Sequence, residues 1–301
     1  MPEMPQVQAL VDFLDVRLVH RVAPDGEVLD GGAHVTGVTL GSFAVLKTAV
    51  PPLDAIAGAE ITGVARFGKY VDLDCDGVHL VFHLARAGWL RWLAHPPARP
   101  LRPGGKGPVA LRLEVDGASD GGTGFELTEA GTKKSLAVYV VSDPTDVPGL
   151  ATLGPEALTL SADDFARLLT DHRGQIKGLL RDQSVIAGIG NAYSDEILHA
   201  AKLSPFAIAA KLSNEEVGRL YTAMRTTLDA AIAASAGKPA AELKDSKRSS
   251  MAVHGRTGEA CPVCGDIVQE VSFADSSLQY CPTCQTGGKP LADRRTSRFL
   301  K

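Results

Sequence analysis

Apolar and polar residues follow two different periods along this chain, and the change of period marks its main division. Apolar residues spaced three and four positions apart predict a helix over about 5–18. Between 34 and 141, short runs rich in β-branched residues and bounded by Gly and Asp predict strands. The predicted strands are 34–40, 44–49, 61–67, 70–73, 78–84, 109–115, 124–128 and 136–141. This part is predicted to be a β-sandwich or barrel that carries an N-terminal helix.

The helical period returns after a stretch that contains Pro and Gly and predicts a linker. The predicted helices are 165–169, 174–181, 192–202 and 214–235. The polar segment 236–259 is predicted to be a loop, and its composition fits either a loop over a binding face or a plain solvated linker. The predicted domain boundaries divide the chain into 1–141, a linker at 142–149, 150–240 and 241–301. The fold class that follows is an α+β multidomain protein.

Composition narrows the class of protein without naming its function. The 301 residues are 45% hydrophobic and 22% charged, which is typical of a globular chain with two domains. No apolar run reaches the length of a membrane span and no secretory signal is visible, so we predict a cytoplasmic protein with no membrane partner. The net charge of -4 disfavours nucleic acid as a ligand, but residues 244–301 hold nine Lys and Arg against six Asp and Glu.

Four of the five cysteines form two C-x-x-C pairs near the C-terminus. Cys261 pairs with Cys264, Cys281 pairs with Cys284, and sixteen residues separate the pairs. Because each C-x-x-C turn directs two sulfurs at one point, this spacing predicts one structural zinc ion held by four thiolates, with a β-hairpin between the pairs. Cys75 is left over and is predicted to be a buried thiol. A zinc ribbon has many uses, so it does not assign a function.

The start of the chain, Met1-Pro2-Glu3, carries candidate chemistry. Removal of Met1 would give Pro2 a free secondary amine, which can attack an aldehyde carbon and form an iminium. Glu3 could supply a carboxyl group for proton transfer to the same substrate. Many chains begin Met-Pro without such a role, so Pro2 alone does not distinguish catalysis from an ordinary N-terminus.

A second candidate site lies where one helix ends before a Gly-rich turn and another helix begins. The stretch runs from Lys177 through Gly188-Ile189-Gly190 to Asn191. The N–H groups and dipole at such a helix start suit a phosphate, and Asn191 can add an amide donor. On this pattern alone, a tight helical connection is an equally good interpretation.

Together these blocks make the chain resemble the formamidopyrimidine-DNA glycosylase/endonuclease VIII family of DNA-repair enzymes. Pro2-Glu3-x-Pro5, Gly68-Lys69-Tyr70, the turn ending at Asn191 and the four cysteines occur in the family's order over nearly the full length. The resemblance implies a catalytic β-sandwich domain with an N-terminal helix, a helix–two-turn–helix DNA-binding domain and a zinc-finger β-hairpin. These correspond to the segments 1–141, 150–240 and 241–301, the last with a basic loop and tail.

The resemblance also implies the catalytic residues. Pro2 would attack C1′ of a damaged nucleoside and expel the base, while Glu3 would protonate the ring oxygen of the sugar. The iminium would then allow β,δ-elimination of the two flanking phosphates. Lys69 matches a position that holds these phosphates beside the reacting sugar.

Further residues match family positions that face the DNA. Asn191 matches a second residue that holds the flanking phosphates, and Lys177 matches another position facing the duplex. Arg86 matches a residue that fills the gap left when the damaged nucleotide leaves the stack. Trp89 lies near Arg86 and is predicted to be either its helper or a core residue.

Several positions depart from the family pattern. Gln6 stands where a Glu is usual, Ser276 stands where an Arg is usual, and 132–136 occupies the place of a second wedge loop without matching it. Without the Arg, a charge-assisted hydrogen bond to a phosphate is missing. We predict that the basic tail, 289–301, supplies replacement contacts. The tail residues predicted to bind DNA are Arg294 and Arg295.

The leading interpretation is a base-excision-repair DNA glycosylase and abasic-site lyase. It would act as a monomer on damaged double-stranded DNA of the nucleoid, with one structural Zn2+ and no small-molecule cofactor. The content of the loop between 235 and 261 disfavours a dedicated 8-oxoguanine enzyme and favours oxidised pyrimidines, formamidopyrimidines or abasic sites. One alternative is a catalytically weak protein of the same family that binds lesions or abasic sites. Another is a zinc-ribbon factor for RNA or protein, which would leave Pro2 and Glu3 unexplained.

Overall fold

The structure is a computed structural model that describes residues 2–23, 25–104, 107–131, 133–243, 247–248, 250–274 and 276–293. The chain divides into two compact units. The first unit comprises Met1–Thr152 and Ser235–Lys244, and the second comprises Leu153–Ala234 and Asp245–Lys301. The segment that follows the last long helix therefore belongs with the N-terminal unit, whereas the sequence pattern groups most of it with the helices.

The described residues of the first unit form helices and two four-stranded antiparallel sheets. Helix α1 spans Met4–Leu18, and a short helix α2 spans Pro148–Ala151. The strands are β1 (His34–Leu40), β2 (Ile61–Phe67), β3 (Tyr70–Cys75), β4 (Val78–His83), β5 (Gly88–Leu93), β6 (Val109–Asp116), β7 (Gly124–Glu129) and β8 (Ala137–Val141). One sheet has the order β1-β6-β7-β5 and the other β2-β3-β4-β8.

One apolar core joins α1 to both sheets. Leu10 and Leu14 of α1 are fully buried in the same cluster as Leu73 and Phe82 of one sheet and Phe125 of the other. Burial of each such side chain contributes about 1.5–3 kcal/mol, so this cluster is the main source of stability in the unit. Helix α1 packs on β2 and β3. The predicted N-terminal helix and β-sandwich are confirmed.

Two details of the predicted strands are wrong. The segment 44–49 is not a strand, because Phe43–Val45 forms a 3-10 turn and Leu46 makes an isolated bridge to β8. The following Pro51-Pro52 lacks the backbone N–H groups that a ladder needs. Strand β5 was not predicted, because its run of Trp and Leu does not alternate with polar residues; it pairs with β7 at the sheet edge.

The second unit combines helices with a small hairpin. Its helices are α3 (Ala162–Asp171), α4 (Ile176–Arg181), α5 (Asn191–Ala200), α6 (Asn214–Ser235) and α7 (Pro282–Thr286). Ser161 caps α3, since its hydroxyl accepts the Asp164 N–H at 3.1 Å. Strands β9 (Gln269–Ser272) and β10 (Ser277–Tyr280) form an antiparallel hairpin between the two cysteine pairs, as predicted. None of the helices described here has the length and apolar character needed to cross a membrane.

Candidate functional site

The N-terminal segment is buried at the start of α1. Pro2 is buried, and Glu3 and Gln6 are each only 1% exposed. Glu3 immediately precedes the helix and forms a reciprocal capping box with Gln6, in which the Glu3 N–H donates to Gln6 Oε1 at 3.2 Å. Gln6 therefore accepts the hydrogen bond expected of a Glu without carrying its charge. Met1 lies outside the described residues.

Lys69 lies in the hairpin turn between β2 and β3 and is 7% exposed. The preceding Gly68 has a φ of +57°, which a two-residue hairpin turn requires. Arg66 ties this turn to α1, since its Nε donates to Gln8 Oε1 at 2.8 Å and its Nη1 donates to the Gly68 carbonyl at 2.9 Å. The structure thus links the turn that carries Lys69 to α1, the helix that follows the predicted catalytic residues Pro2 and Glu3.

His83, at the end of β4, is a polar residue in this region to which the sequence interpretation gave no role. It pairs with Tyr70 across the sheet, and the two rings lie 4.7 Å apart. Burial, and then the positive charge of Lys69, lower the pKa of His83 to about 4. Its Nδ1 accepts the Ala85 N–H at 3.1 Å, so the neutral ring carries its hydrogen on Nε2. A neutral N–H donor is therefore held beside Lys69.

Arg86 is exposed in the tight turn that joins β4 to β5. Its neighbour Ala85 has a φ of +52°, a left-handed conformation that an alanine rarely adopts and that gives this turn a fixed shape. Trp89 is 8% exposed, and its Nε1 donates to the Ala240 carbonyl at 2.9 Å. Trp89 is therefore a core residue, whereas Arg86 is presented to solvent.

Residues 135 and 136, which end the predicted second wedge loop, are held by a buried carboxylate at the end of β7. Glu129 Oε1 accepts the N–H of Ser135 at 2.6 Å and the N–H of Leu136 at 3.0 Å. The other oxygen, Oε2, is buried and has no hydrogen-bond partner among the described residues. Lys133 is exposed on this segment, and position 132 lies outside the described residues.

In the second unit, the Gly-rich turn between α4 and α5 is organised by one side chain. Gln183 Oε1 accepts the Gly188 N–H at 3.0 Å, and its Nε2 donates to the carbonyls of Arg181 at 2.9 Å and Ile189 at 2.8 Å. Gly188 has a φ of +99°, which only glycine tolerates well. The second helix begins at Asn191, which confirms the predicted pair of helices around a tight turn.

Lys177 is buried, at 5% exposure, and its ammonium faces acceptors of the protein itself. Its Nζ donates to the Asn191 carbonyl at 3.1 Å, to Ser194 Oγ at 2.7 Å and to Asp195 Oδ1 at 2.6 Å. The other oxygen of Asp195 lies 2.8 Å from Nδ1 of His254, whose side chain is 29% exposed. Three acceptors match the three N–H groups of an ammonium, so Lys177 stabilises the start of α5.

Asn191 connects the start of α5 to the hairpin. Its Nδ2 donates to the Ser277 carbonyl at 2.8 Å, and its Oδ1 is buried without a hydrogen-bond partner among the described residues. Ser276, the residue that replaces the usual Arg, is the neighbour of Ser277 and half-buried in the hairpin turn. The structure thus joins the start of α5 to the residue that follows position 276.

A buried carboxylate on α5 also anchors part of the polar segment 236–259, which is called the basic segment from here on. Glu196 accepts the backbone N–H groups of 252–254 at 2.7 to 3.0 Å. Burial raises the pKa of Glu196, and these hydrogen bonds act in the opposite direction. Lys247 Nζ lies 5.0 Å from the ring centre of Tyr193 in the first turn of α5. Lys247 and residues 252–254 are therefore packed on α5, and this part of the segment is not a plain solvated linker.

The four cysteines of the second unit converge on one point. The sulfurs of Cys264 and Cys281 lie 3.3 Å apart, and those of Cys261 and Cys284 lie 3.9 Å apart. A tetrahedral zinc ion with Zn–S bonds of about 2.3 Å separates its sulfur ligands by about 3.8 Å, so the cluster fits this metal. His199, which the sequence interpretation missed, brings Nε2 to 3.3 Å from Cys261 Sγ.

Three family models match the chain in succession. The formamidopyrimidine-DNA glycosylase N-terminal domain matches residues 1–130, the H2TH domain of the same enzymes matches 153–241, and the zinc finger found in FPG and IleRS matches 258–287. The formamidopyrimidine-DNA glycosylase of Pelotomaculum thermopropionicum is 31% identical over 95% of this chain and 99% of its own length. The chain belongs to the formamidopyrimidine-DNA glycosylase family.

Two further members of this glycosylase family illustrate the range of similarity. A formamidopyrimidine-DNA glycosylase-like protein of Mycobacterium tuberculosis is 62% identical over 154 residues, which are 98% of that protein but 51% of this chain. The Lactococcus lactis Fpg, solved with DNA containing an abasic site, has the same fold, with a TM-score of 0.77 and 24% identity over 95% of this chain and 100% of that one.

The family match also defines the metal content. The zinc-finger match together with the cluster of thiols and imidazole identifies one structural zinc ion as the cofactor.

The tail residues Arg294 and Arg295 lie outside the described residues. The tail is attached just before them, where the Leu291 N–H donates to the Tyr280 hydroxyl at 2.7 Å.

Proposed function

We propose that this chain removes oxidised bases from double-stranded DNA and then cleaves the strand at the resulting abasic site. The observation that carries the proposal is the buried start of α1, where Pro2 and Glu3 precede a capped helix that Arg66 ties to the Lys69 turn. Burial shields a covalent intermediate on the Pro2 nitrogen from bulk water, which would otherwise hydrolyse it early. The DNA-bound state of the Lactococcus lactis relative supports damaged DNA as the partner.

The proposed reaction begins once Met1 has been removed. The Pro2 nitrogen forms a bond to C1′, the bond from C1′ to the base breaks, and the base leaves with the electron pair. Glu3 protonates the ring oxygen, so the sugar opens and leaves an iminium on Pro2. The iminium acidifies C2′, and loss of its proton expels the 3′ phosphate. A second elimination expels the 5′ phosphate, and water then hydrolyses the iminium and frees the amine.

We propose donors for the phosphates next to the lesion in each unit, taken by itself. In the first unit, the Lys69 ammonium and the Nε2–H of His83 provide a cation and a neutral donor side by side. In the second unit, Asn191 has one amide hydrogen beyond the one that the Ser277 carbonyl needs. Lys177 is already surrounded by acceptors, so we propose that it acts indirectly, by fixing the shape of the turn before Asn191.

Reaching C1′ requires the damaged nucleotide to leave the stack, at a cost of a few kcal/mol. Arg86 is suited to fill the gap, because it is exposed on a turn of fixed shape and a guanidinium plane can stack on bases.

We propose oxidised pyrimidines, formamidopyrimidines and abasic sites as substrates, and a monomer acting on nucleoid DNA in the cytoplasm. The structural zinc is the one cofactor that this proposal requires.

Borohydride trapping on a duplex with one abasic site tests the proposal. We expect a covalent protein–DNA adduct, because borohydride reduces the iminium to a stable amine, and strand nicking when borohydride is omitted. A protein that binds the duplex tightly but forms neither adduct nor nick would instead be a lesion-binding protein. A preference for RNA over damaged duplex in competition would point to the zinc-ribbon alternative.

The basic tail provides a separate prediction about binding strength. Substituting Arg294 and Arg295 by Gln should weaken binding to the abasic duplex and flatten its salt dependence, with the log–log slope falling by about 0.9 for each phosphate that the variant no longer neutralises. Substitution is better than truncation after Thr286, because truncation also removes Leu291, which packs against Tyr280. Lys211→Gln, in the 3-10 turn before α6, is the matched control. An unchanged slope in the double variant would reject a role for the tail in phosphate binding.

A further inference from the structure

The zinc centre contains one donor more than a tetrahedral ion can use. His199, near the end of α5, is 5% exposed and points Nε2 at Cys261 Sγ, 3.3 Å away. Its Nε2 and the sulfurs of Cys261, Cys281 and Cys284 all lie within 4.8 Å of one another. Cys264 is also part of the cluster, because its sulfur lies 3.3 Å from that of Cys281. Five donors therefore surround a site that needs four.

His199 can take one of two roles in such a cluster. It is either a direct ligand that replaces Cys264, or an N–H donor to a thiolate that is itself bound to the metal. The two sulfur–sulfur separations of 3.3 and 3.9 Å are close to the value of about 3.8 Å for ligands of one tetrahedral zinc ion, which favours Cys264 as a ligand. Four thiolates around Zn2+ carry a net charge of about −2, which makes each sulfur a strong acceptor for an N–H group.

We propose that His199 is an outer-sphere partner of the zinc site: its Nε2–H donates to the Cys261 thiolate while all four cysteines bind the metal. This hydrogen bond stabilises the charged thiolate and fixes its orientation, which is how second-shell partners strengthen metal sites. It also links a metal-binding thiolate to α5, the helix that starts at Asn191. This role of His199 is independent of the proposed catalysis.

The position of His199 makes this attachment part of a larger contact between α5 and the finger. At the start of the helix, Asn191 Nδ2 donates to the Ser277 carbonyl at 2.8 Å. Just beyond its end, Gln285 Nε2 donates to the Leu203 carbonyl at 2.9 Å, while Gln285 Oε1 accepts the Cys281 N–H at 2.9 Å. Within this set, Gln285 contacts the backbone of a ligand residue, whereas the imidazole of His199 contacts a ligand sulfur. Loss of its N–H should therefore weaken the retention of zinc before it affects other properties of the protein.

The experiment compares His199→Phe with His199→Gln in the full-length protein. Phe fills the space but cannot donate, whereas the Gln amide can place an N–H near the position of Nε2. We expect zinc release to a chromogenic chelator to be at least about tenfold faster in His199→Phe and to be largely restored in His199→Gln, as second-shell losses typically cost about 10–100-fold in affinity. Cobalt(II) in place of zinc should give a four-thiolate absorption spectrum in the wild type and in both variants.

Two results would overturn the proposal. A wild-type cobalt spectrum typical of three thiolates and one nitrogen, lost in His199→Phe but kept in Cys264→Ser, would make His199 a direct ligand. Unchanged zinc release in His199→Phe would show that its N–H contributes nothing. If His199→Phe does not fold, NMR of the wild-type protein loaded with 113Cd still distinguishes the two roles of His199. Outer-sphere His199 should show an Nε2–H tautomer without scalar coupling to cadmium, whereas a ligating nitrogen would show that coupling.

Discussion

The Pro2→Gly protein is expected to form less than about one hundredth of the wild-type borohydride adduct on an abasic duplex, and to nick it correspondingly slowly. Glycine at position 2 still permits removal of Met1, so the variant has a free amine at the same place. That amine is primary, and its imine must gain a proton before it becomes an electron sink, whereas the proline iminium is charged as soon as it forms. Burial of the segment makes this extra proton transfer harder.

Pro5→Ala is the matched control for Pro2→Gly. Pro5 is buried in the same segment but lies inside α1 and has no free amine, so its replacement should leave trapping close to the wild-type level. Intact mass should first confirm that Met1 is absent from all three proteins, since a retained Met1 blocks the amine. Wild-type adduct yield in Pro2→Gly, with Met1 removed, would mean that the nucleophile lies elsewhere in the chain.

The second large effect is expected in stability. Asp195→Asn should destabilise the second unit by about 3–5 kcal/mol, because it leaves the Lys177 ammonium buried without a counter-charge. The side chains of Asp195 and Lys177 are 0% and 6% exposed, so water cannot replace the lost partner. His254 loses its acceptor in the same change, but its 29% exposed ring can turn to solvent.

Urea unfolding of the zinc-loaded protein, followed by the helical circular dichroism signal, measures this loss. The two tryptophans, Trp89 and Trp92, both lie in the first unit, so their fluorescence separately reports that unit. Asp163→Asn on the exposed first turn of α3 is the control and should cost less than about 1 kcal/mol. Combining Lys177→Met with Asp195→Leu should recover most of the loss, since it removes both charges. A cost below about 1 kcal/mol for Asp195→Asn would show that the ion pair is not a main support of α5.

Local patterns in the sequence were sufficient wherever neighbouring residues decide the structure. The apolar spacing along α1, the Gly68 turn and the two C-x-x-C pairs each depend on residues a few positions apart, and the structure confirms the helix, the hairpin and the cysteine cluster. Strand β5 escaped prediction because its burial arises from pairing with β7 and not from any alternation of its own.

The groups that the sequence interpretation missed are joined over long distances along the chain. His254 lies 59 residues from Asp195, and His199 lies 62 residues from Cys261. No periodicity or spacing connects such pairs, because they meet only when the hairpin and the basic segment pack on α5. In the packed chain, the ammonium of Lys177, which the sequence predicted to contact DNA, donates to acceptors of the protein itself.

By itself, the amino-acid sequence determined the motifs that this chain carries: Pro2 followed by a carboxylate, four thiols at zinc spacing, and the family to which these motifs belong. Only the tertiary structure decided which charges are buried and what each of them faces. The physical reason is that the reactivity of a side chain is intrinsic to its type, whereas its exposure, its partners and the pKa that they impose, as at His83, are properties of the packed chain.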